Sequence, residues 1–405
     1  MKEPNLTSTL LRDARIVLPV RIDERTSLLI QNGRIAGLFD SAEQTMPVAH
    51  SQIDLGGLTA LPGFIDIHIH GAVGVDTMNA TAADLDRVSQ FLATQGITGW
   101  LPTLVPAPDA DYLRAITAID KAMKEQEARG PRSQHGARIL GVHYEGPFVN
   151  ETQCGALHTQ FFRSFSAASE LDDLPTLSFD GAIHMMTLAP EIAGGVELVR
   201  ELTRRGWIVS LGHTRADVAQ LDRARAAGAH HLTHFMNAMA PLHHRAPGPV
   251  AWGLMRDDVT CDMIADGIHL DRDTLRLLLK VKGADRLSLI SDAVAAAGLG
   301  DGEFRIWGET ITVKNGRTSN AHDTIAGSVI TMLDAARLML SLGAATREVA
   351  RMAATNPARL LGIGRDCGSI ETGKRADLVA LDAEGNVVLT LIEGAIAFDA
   401  RERDR

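Results

Sequence analysis

At 405 residues the chain is long for one ordinary domain and suits a barrel of about 250–300 residues with a smaller unit beside it. Hydrophobic residues make up 45%, enough for a sizeable core. The net charge of −10, with no basic stripe, argues against nucleic acid or a membrane surface as the main partner, though not against a small anionic ligand. Three scattered cysteines, Cys154, Cys261 and Cys367, exclude a disulfide framework or a zinc finger and fit a reducing cytoplasm.

The N-terminal stretch up to Val20 has no long apolar core behind a basic start, so no signal peptide is expected. No apolar run anywhere approaches the ~18–20 residues of a membrane span. Residues 1–60 then read as short strands and turns: Arg15–Leu18, Ser27–Ile30 and Arg34–Leu38 are β-prone, with the turn Asn32-Gly33 between the last two. From there strand and helix alternate. Eight apolar runs occur at Gly63–His70, Ile97–Leu104, Ile139–Glu145, Ile183–Leu188, Ile208–Gly212, His230–His234, Thr260–Ala265 and Leu287–Ser291. Helical patterns cover Ala82–Gln95, Asp109–Arg129, Glu191–Arg205, Arg215–Ala227, Asp271–Lys282 and Val329–Leu342. Near-continuous apolar strands alternating with helices mean a parallel sheet, and eight repeats favour a closed (β/α)₈ barrel over residues 61–363. Residues 298–325, Gly-rich with a hairpin signature, read as an insertion that covers a pocket. Asp377–Leu381 and Val387–Ile392 are again strand-like, so residues 1–60 with 364–405 are expected to form one small sheet domain from both chain ends.

Polar residues gather at the ends of the runs: His68 and His70 after the first, Glu145 after the third, His213 after the fifth. His234 ends the sixth, His269 lies just past the seventh, and Asp292 ends the eighth. In a (β/α)₈ barrel those ends converge on one mouth, where active sites lie. Each residue alone has a plain alternative. Glu145 could be a salt bridge, His213 a neighbour of a helix cap, His234 a bonded core residue and Asp292 an N-cap. Five strand ends carrying such residues together point to one centre. Imidazoles and a carboxylate suit Zn²⁺ or another divalent transition ion such as Fe²⁺, Mn²⁺ or Co²⁺. An Asp beside a metal-activated water is the toolkit for cleaving an amide. His-x-His in a strand puts both rings on one face, so His68 and His70 could hold a second ion with Glu145 as bridge. His143, two before Glu145, shares its face and is expected behind the ligands.

The motif Pro-Gly-Phe-Ile-Asp-Ile-His-Ile-His-Gly (62–71) resembles the first strand of the amidohydrolase superfamily. Gly-Lys-Arg-Ala-Asp-Leu-Val (373–379) resembles its C-terminal return strand and Ala-Thr-Asn-Pro-Ala (354–358) its last-helix motif. More narrowly, Glu-Gly-Pro-Phe (145–148), Gly-His-Thr (212–214), Thr-His-Phe-Met-Asn-Ala-Met (233–239), Ala-Asp-Gly-Ile-His (265–269), Ser-Asp-Ala (291–293) and Ile-Ala-Gly-Ser (325–328) are similar to N-acetylglucosamine-6-phosphate deacetylases. The resemblance implies a barrel with a β-sandwich, and release of acetate from an N-acetylated amino-sugar phosphate by a homodimer or higher homo-oligomer. It implies Glu145, His213 and His234 as metal ligands, Asp292 as general base and acid, and His269 as the residue that steadies the carbonyl. It assigns phosphate to Asn237, Ala238 and Arg245, the arginine reaching across a dimer interface. Ala156, Ile325, Ala326 and Gly327 would touch the substrate. One stretch departs from the pattern: Gln153-Cys154-Gly155-Ala156-Leu157-His158 has leucine where the family has a substrate-contacting histidine, and His158 comes one later, behind the site. The departure keeps other readings open: the galactosamine epimer, another N-acyl sugar, a cyclic amidase or deaminase on the same scaffold, or a silent sugar-binding protein.

Overall fold

The computed structural model describes residues 8–41, 44–130 and 135–402. The start of the chain, read above as carrying no leader, and the outermost ends of the 1–60 and 364–405 segments lie partly outside the described residues. The eight strands of the centre are β1 (Phe64–Ile69), β2 (Ile97–Leu104), β3 (Gly141–Glu145), β4 (Ile183–Leu188), β5 (Ile208–Leu211), β6 (His231–Leu232), β7 (Thr260–Ile264) and β8 (Leu287–Ile290). They pair in chain order and all parallel. The ring comes to near-closure where Asp292 N–H donates to the His68 carbonyl at 2.9 Å and Ile69 bridges Ala293.

Burial explains the runs. Every residue of β2 is buried, because one face meets the barrel interior and the other the helices. The longer helices are α1 (Ala82–Thr94), α2 (Asp109–Arg129), α3 (Gly195–Arg204), α4 (Val218–Ala227), α5 (Gly248–Met255), α6 (Arg272–Lys282) and α7 (Met332–Ser341). Three begin with a reciprocal cap: Thr81 with Asp84, Asp217 with Gln220, and Thr331 with Asp334. Those caps place the starts of α4 and α7 three residues inside the predicted spans. Strand β6 is shorter than its apolar run, and His234 lies beyond it in a turn.

Strands from both chain ends share one eight-stranded sheet, which runs 395–399, 387–392, 378–381, 59–62, 8–17, 22–31, 34–40, with 51–54 beside 8–17. Thr59–Pro62 lies antiparallel to Leu378–Leu381, directly before β1. The predicted Asn32-Gly33 turn joins Gln31 to Arg34, both residues at positive φ. The first strand is longer than its sequence signal because a bulge at Arg12-Asp13 breaks the alternation, with Asp13 at φ 58°. After β8, residues 302–306, 309–314 and 317–319 form a three-stranded antiparallel sheet in the expected insertion.

Candidate active site

Glu145, the last residue of β3, His213 beyond β5 and His234 beyond β6 meet at the C-terminal mouth. The Nε2 atoms of His213 and His234 each lie 3.0 Å from Glu145 Oε1 and 3.1 Å from one another. All three side chains are buried. His213 donates Nδ1–H to the Gln153 carbonyl at 2.7 Å, which leaves Nε2 as a bare lone pair facing the carboxylate. Two buried imidazole nitrogens and a carboxylate at these separations have more lone pairs than protons to share. A cation at their centre resolves that conflict, and the edges of a tetrahedron with 2.0–2.1 Å bonds are about 3.3 Å long. The residues therefore fit a divalent metal ion.

His68 and His70 complete a second group on the same carboxylate. Their Nε2 atoms are 3.2 Å apart, and His70 Nε2 is 3.3 Å from Glu145 Oε2. Asp292 Oδ1 faces both, 3.4 Å from His68 and 3.2 Å from His70. Among the described residues, nothing in the protein bonds the Nδ1 atoms of His68, His70 or His234. Burial works against charge here, yet the ion pairs prevail. Asp292 and Glu145 raise His70 to about 10, and Glu145 raises His234 to about 9. Glu145 and Asp292 are held below the usual carboxylate range by the histidines. His143 is the exception. Desolvation keeps it far below its ordinary value, so it stays neutral, bonding the Ile67 carbonyl and Thr187 Oγ1 while its ring packs edge-on against His68 at 4.7 Å.

The backbone at this mouth is itself unusual. His213, His234 and Asp292 have φ of 47°, 31° and 50°, a region L-residues seldom visit. Asp292 is pinned there from both neighbours: its N–H donates to the His68 carbonyl, and its carbonyl accepts from Ser328 N–H at 2.7 Å. Below it Ser291 Oγ donates to Asp66, a fully buried carboxyl that desolvation raises to about 6. No helix follows Asp292; the next begins at Met332, so it is not a helix cap.

A cavity of about 260 Å³ opens above these groups. It is walled by His70, Glu145, His213, His234, Asp292 and His269. Of the other expected contacts, Ala156, Asn237, Ala238, Ile325 and Gly327 line it as well. Ala326 does not: its side chain is buried beside Val294 and Ile306. Arg245 does not either; it is exposed on the 241–247 loop, with Nη1 2.7 Å from His244 Nε2. His158 turns from the cavity to the insertion, its Nε2 donating to the Trp307 carbonyl at 3.0 Å. Sequence reading missed three participants. Asp266 accepts from His269 Nδ1 at 2.6 Å and so orients that ring. Asp262 accepts the His234 backbone N–H. Trp307 lines the cavity from the insertion. Asp266 stood inside a quoted motif; nothing around Trp307 marked it.

A family model described as the amidohydrolase family matches residues 59–403. The chain is 37% identical over 401 residues to the N-acetylglucosamine-6-phosphate deacetylase of Bacillus subtilis (strain 168), spanning 98% of this chain and 99% of that one. It is 36% identical over 365 residues to the N-acetylgalactosamine-6-phosphate deacetylase of Escherichia coli O157:H7, spanning 90% and 94%. A variant N-acetyl-D-glucosamine-6-phosphate deacetylase from Mycobacterium smegmatis, solved in complex with N-acetyl-D-glucosamine-6-phosphate, superposes with a TM-score of 0.86 at 30% identity over 96% and 99% of the two chains. With that likeness running the length of the chain and the metal-competent mouth in place, the chain belongs to the N-acetylglucosamine-6-phosphate deacetylase family of amidohydrolases.

Proposed function

We propose that this enzyme hydrolyses the acetamide of N-acetylglucosamine 6-phosphate to the free amine and acetate. The observation that carries this reading is the placement of Asp292 and His269 in one small cavity with the Glu145, His213, His234 cluster. A divalent transition ion on that cluster, Zn²⁺ first by ligand type, would acidify a water and polarise the acetyl carbonyl. His68 and His70, with Glu145 shared, would hold a second ion more weakly. The chain's own residues do the rest. Asp292 Oδ1 takes the proton of the attacking water and passes it to the amide nitrogen, which leaves as an amine. His269, held through Nδ1 by Asp266, lines the cavity and would steady the acetyl oxygen as charge develops on it. His143 stays neutral behind His68 and fixes that ring.

Asn237 and Ala238 sit on the cavity wall and are assigned to the phosphate end. Arg245, exposed and outside its own cavity, is assigned to the phosphate of a neighbouring copy in a homodimer. Arginine forks suit phosphate because they donate two parallel, charge-assisted bonds. Acetate release from N-acetylglucosamine 6-phosphate, its galactosamine epimer and the unphosphorylated sugars tests the reading. The glucosamine phosphate should have the highest kcat/KM; a higher value for the epimer moves the assignment to galactosamine. Arg245→Ala should cut kcat/KM on the phosphorylated sugar at least tenfold and leave the plain sugar unchanged. Equal treatment of both sugars by the parent removes the phosphate assignment.

A further inference from the structure

We infer that Trp307, seated by the Leu157-His158 pair, is the residue that limits this site to a two-carbon acyl group. The inference rests on the deacetylase reading above. Trp307 and Gly308 form the two-residue turn between the paired residues Ile306 and Glu309, with φ of 52° and 82°. Such a turn needs positive φ at both positions and favours asparagine, aspartate or glycine. A tryptophan in the first of them is a backbone outlier, and outliers of this kind persist where surrounding contacts hold them for a purpose.

Three contacts from three segments hold this one. The Trp307 backbone N–H faces the carboxylate of Asp76, in the loop after β1. The Trp307 carbonyl accepts from His158. The indole meets the His70 ring edge-on, 5.1 Å between centroids at 83°. The indole is thus placed one side chain away from the reacting centre, because His70 Nε2 is itself 3.2 Å from Asp292 Oδ1. Leu157 is buried and lines the same cavity, while the next residue, His158, points to the hairpin. The order Leu-His therefore gives the cavity an apolar side chain and gives Trp307 its anchor.

The carbonyl carbon under attack carries two substituents. The amide nitrogen leads to the sugar, which needs the open mouth. The acyl chain is left facing the wall of Trp307 and Leu157, which admits a methyl and stops a longer alkyl group. Discrimination of one methylene by an apolar pocket is worth about 10–200-fold in kcat/KM.

The test compares kcat/KM of the metal-loaded enzyme for N-acetyl-, N-propionyl- and N-butyrylglucosamine 6-phosphate in the parent, Trp307→Gly and Trp307→Phe. Glycine removes the ring and suits φ 52°, so the variant should fold, as its Tm will show. The parent should lose at least about tenfold per added methylene. Trp307→Gly should flatten that series by at least about tenfold per methylene, with Trp307→Phe between. A Gly variant whose three values fall by one common factor, or stay parallel to the parent's, overturns the inference while the deacetylase reading stands. A parent that cleaves none of the three overturns both.

Discussion

Asp292→Asn should lower kcat by roughly 10²–10⁴-fold while fold and metal content are retained, the range that general acid–base groups contribute. Asparagine keeps the side-chain shape and tolerates the left-handed backbone that Asp292 adopts at φ 50°. The two backbone bonds that pin the residue, to His68 and from Ser328, do not involve the side chain. What is lost is a carboxylate that two adjacent histidines keep ionised against the cost of burial, and with it the only change of charge in the substitution. Were Asp292 a helix cap, the expected signature would be about 1 kcal/mol of stability and normal turnover. Kinetics, bound metal and Tm on this one variant separate the outcomes, and a near-normal kcat sinks the assignment.

Chelation should abolish turnover, and Zn²⁺, Fe²⁺ or Mn²⁺ should restore it. The same experiment has a signature in protons. Without a cation, His70 and His234 are raised to about 10 and about 9 by Glu145 and Asp292, so both rings are protonated near neutral pH. A metal ligand needs the lone pair, so reloading must expel those protons, and a weakly buffered indicator solution should acidify on metal addition. The sign of the stability effect follows. These rings titrate above their ordinary 6.5. Their ion pairs therefore stabilise the metal-free fold fully below that pH and are lost as pH rises through about 9 to 10. Metal-free protein should show a Tm that declines across that window more steeply than loaded protein. Unchanged activity after complete metal removal would refute the metal assignment.

The barrel and its mouth were legible because their signals are local. Near-continuous apolar strands announce burial on both faces, and a polar residue at the end of such a run has few cheap fates. His68 and His70 could be put on one face by period-two alternation alone. That logic stops where the strand stops. His234 lies past the short β6 in a left-handed turn, so alternation with His230 and His231 does not place it; His231 is instead buried against Asp262 and Thr260. Second partners were harder still. The carbonyl of Gln153 that fixes His213 has no side-chain signature, and Asp266 matters only because the chain turns back on His269. Trp307 stood in a stretch that read simply as a cover. Its role depends on contacts with His70, Asp76 and His158, which lie far away in the sequence. Arg245 shows the converse: the family resemblance implied it, but within a single chain its side chain is exposed.

The shared sheet has a consequence for how the molecule is made. Thr59–Pro62 is followed at once by β1, yet its partner Leu378–Leu381 is near the far end of the chain. A ribosome releases the first strand long before the second exists. Until then the Thr59–Pro62 edge has backbone groups open to any passing strand, the hazard that late, long-range pairings bring to nascent chains. The segment that leads into the strand carrying His68 and His70 gains this partner only once residues 378–381 have been made. A polypeptide stalled before residue 378 should accordingly be protease-sensitive around residues 59–62 and bind metal weakly, even with every ligand already translated.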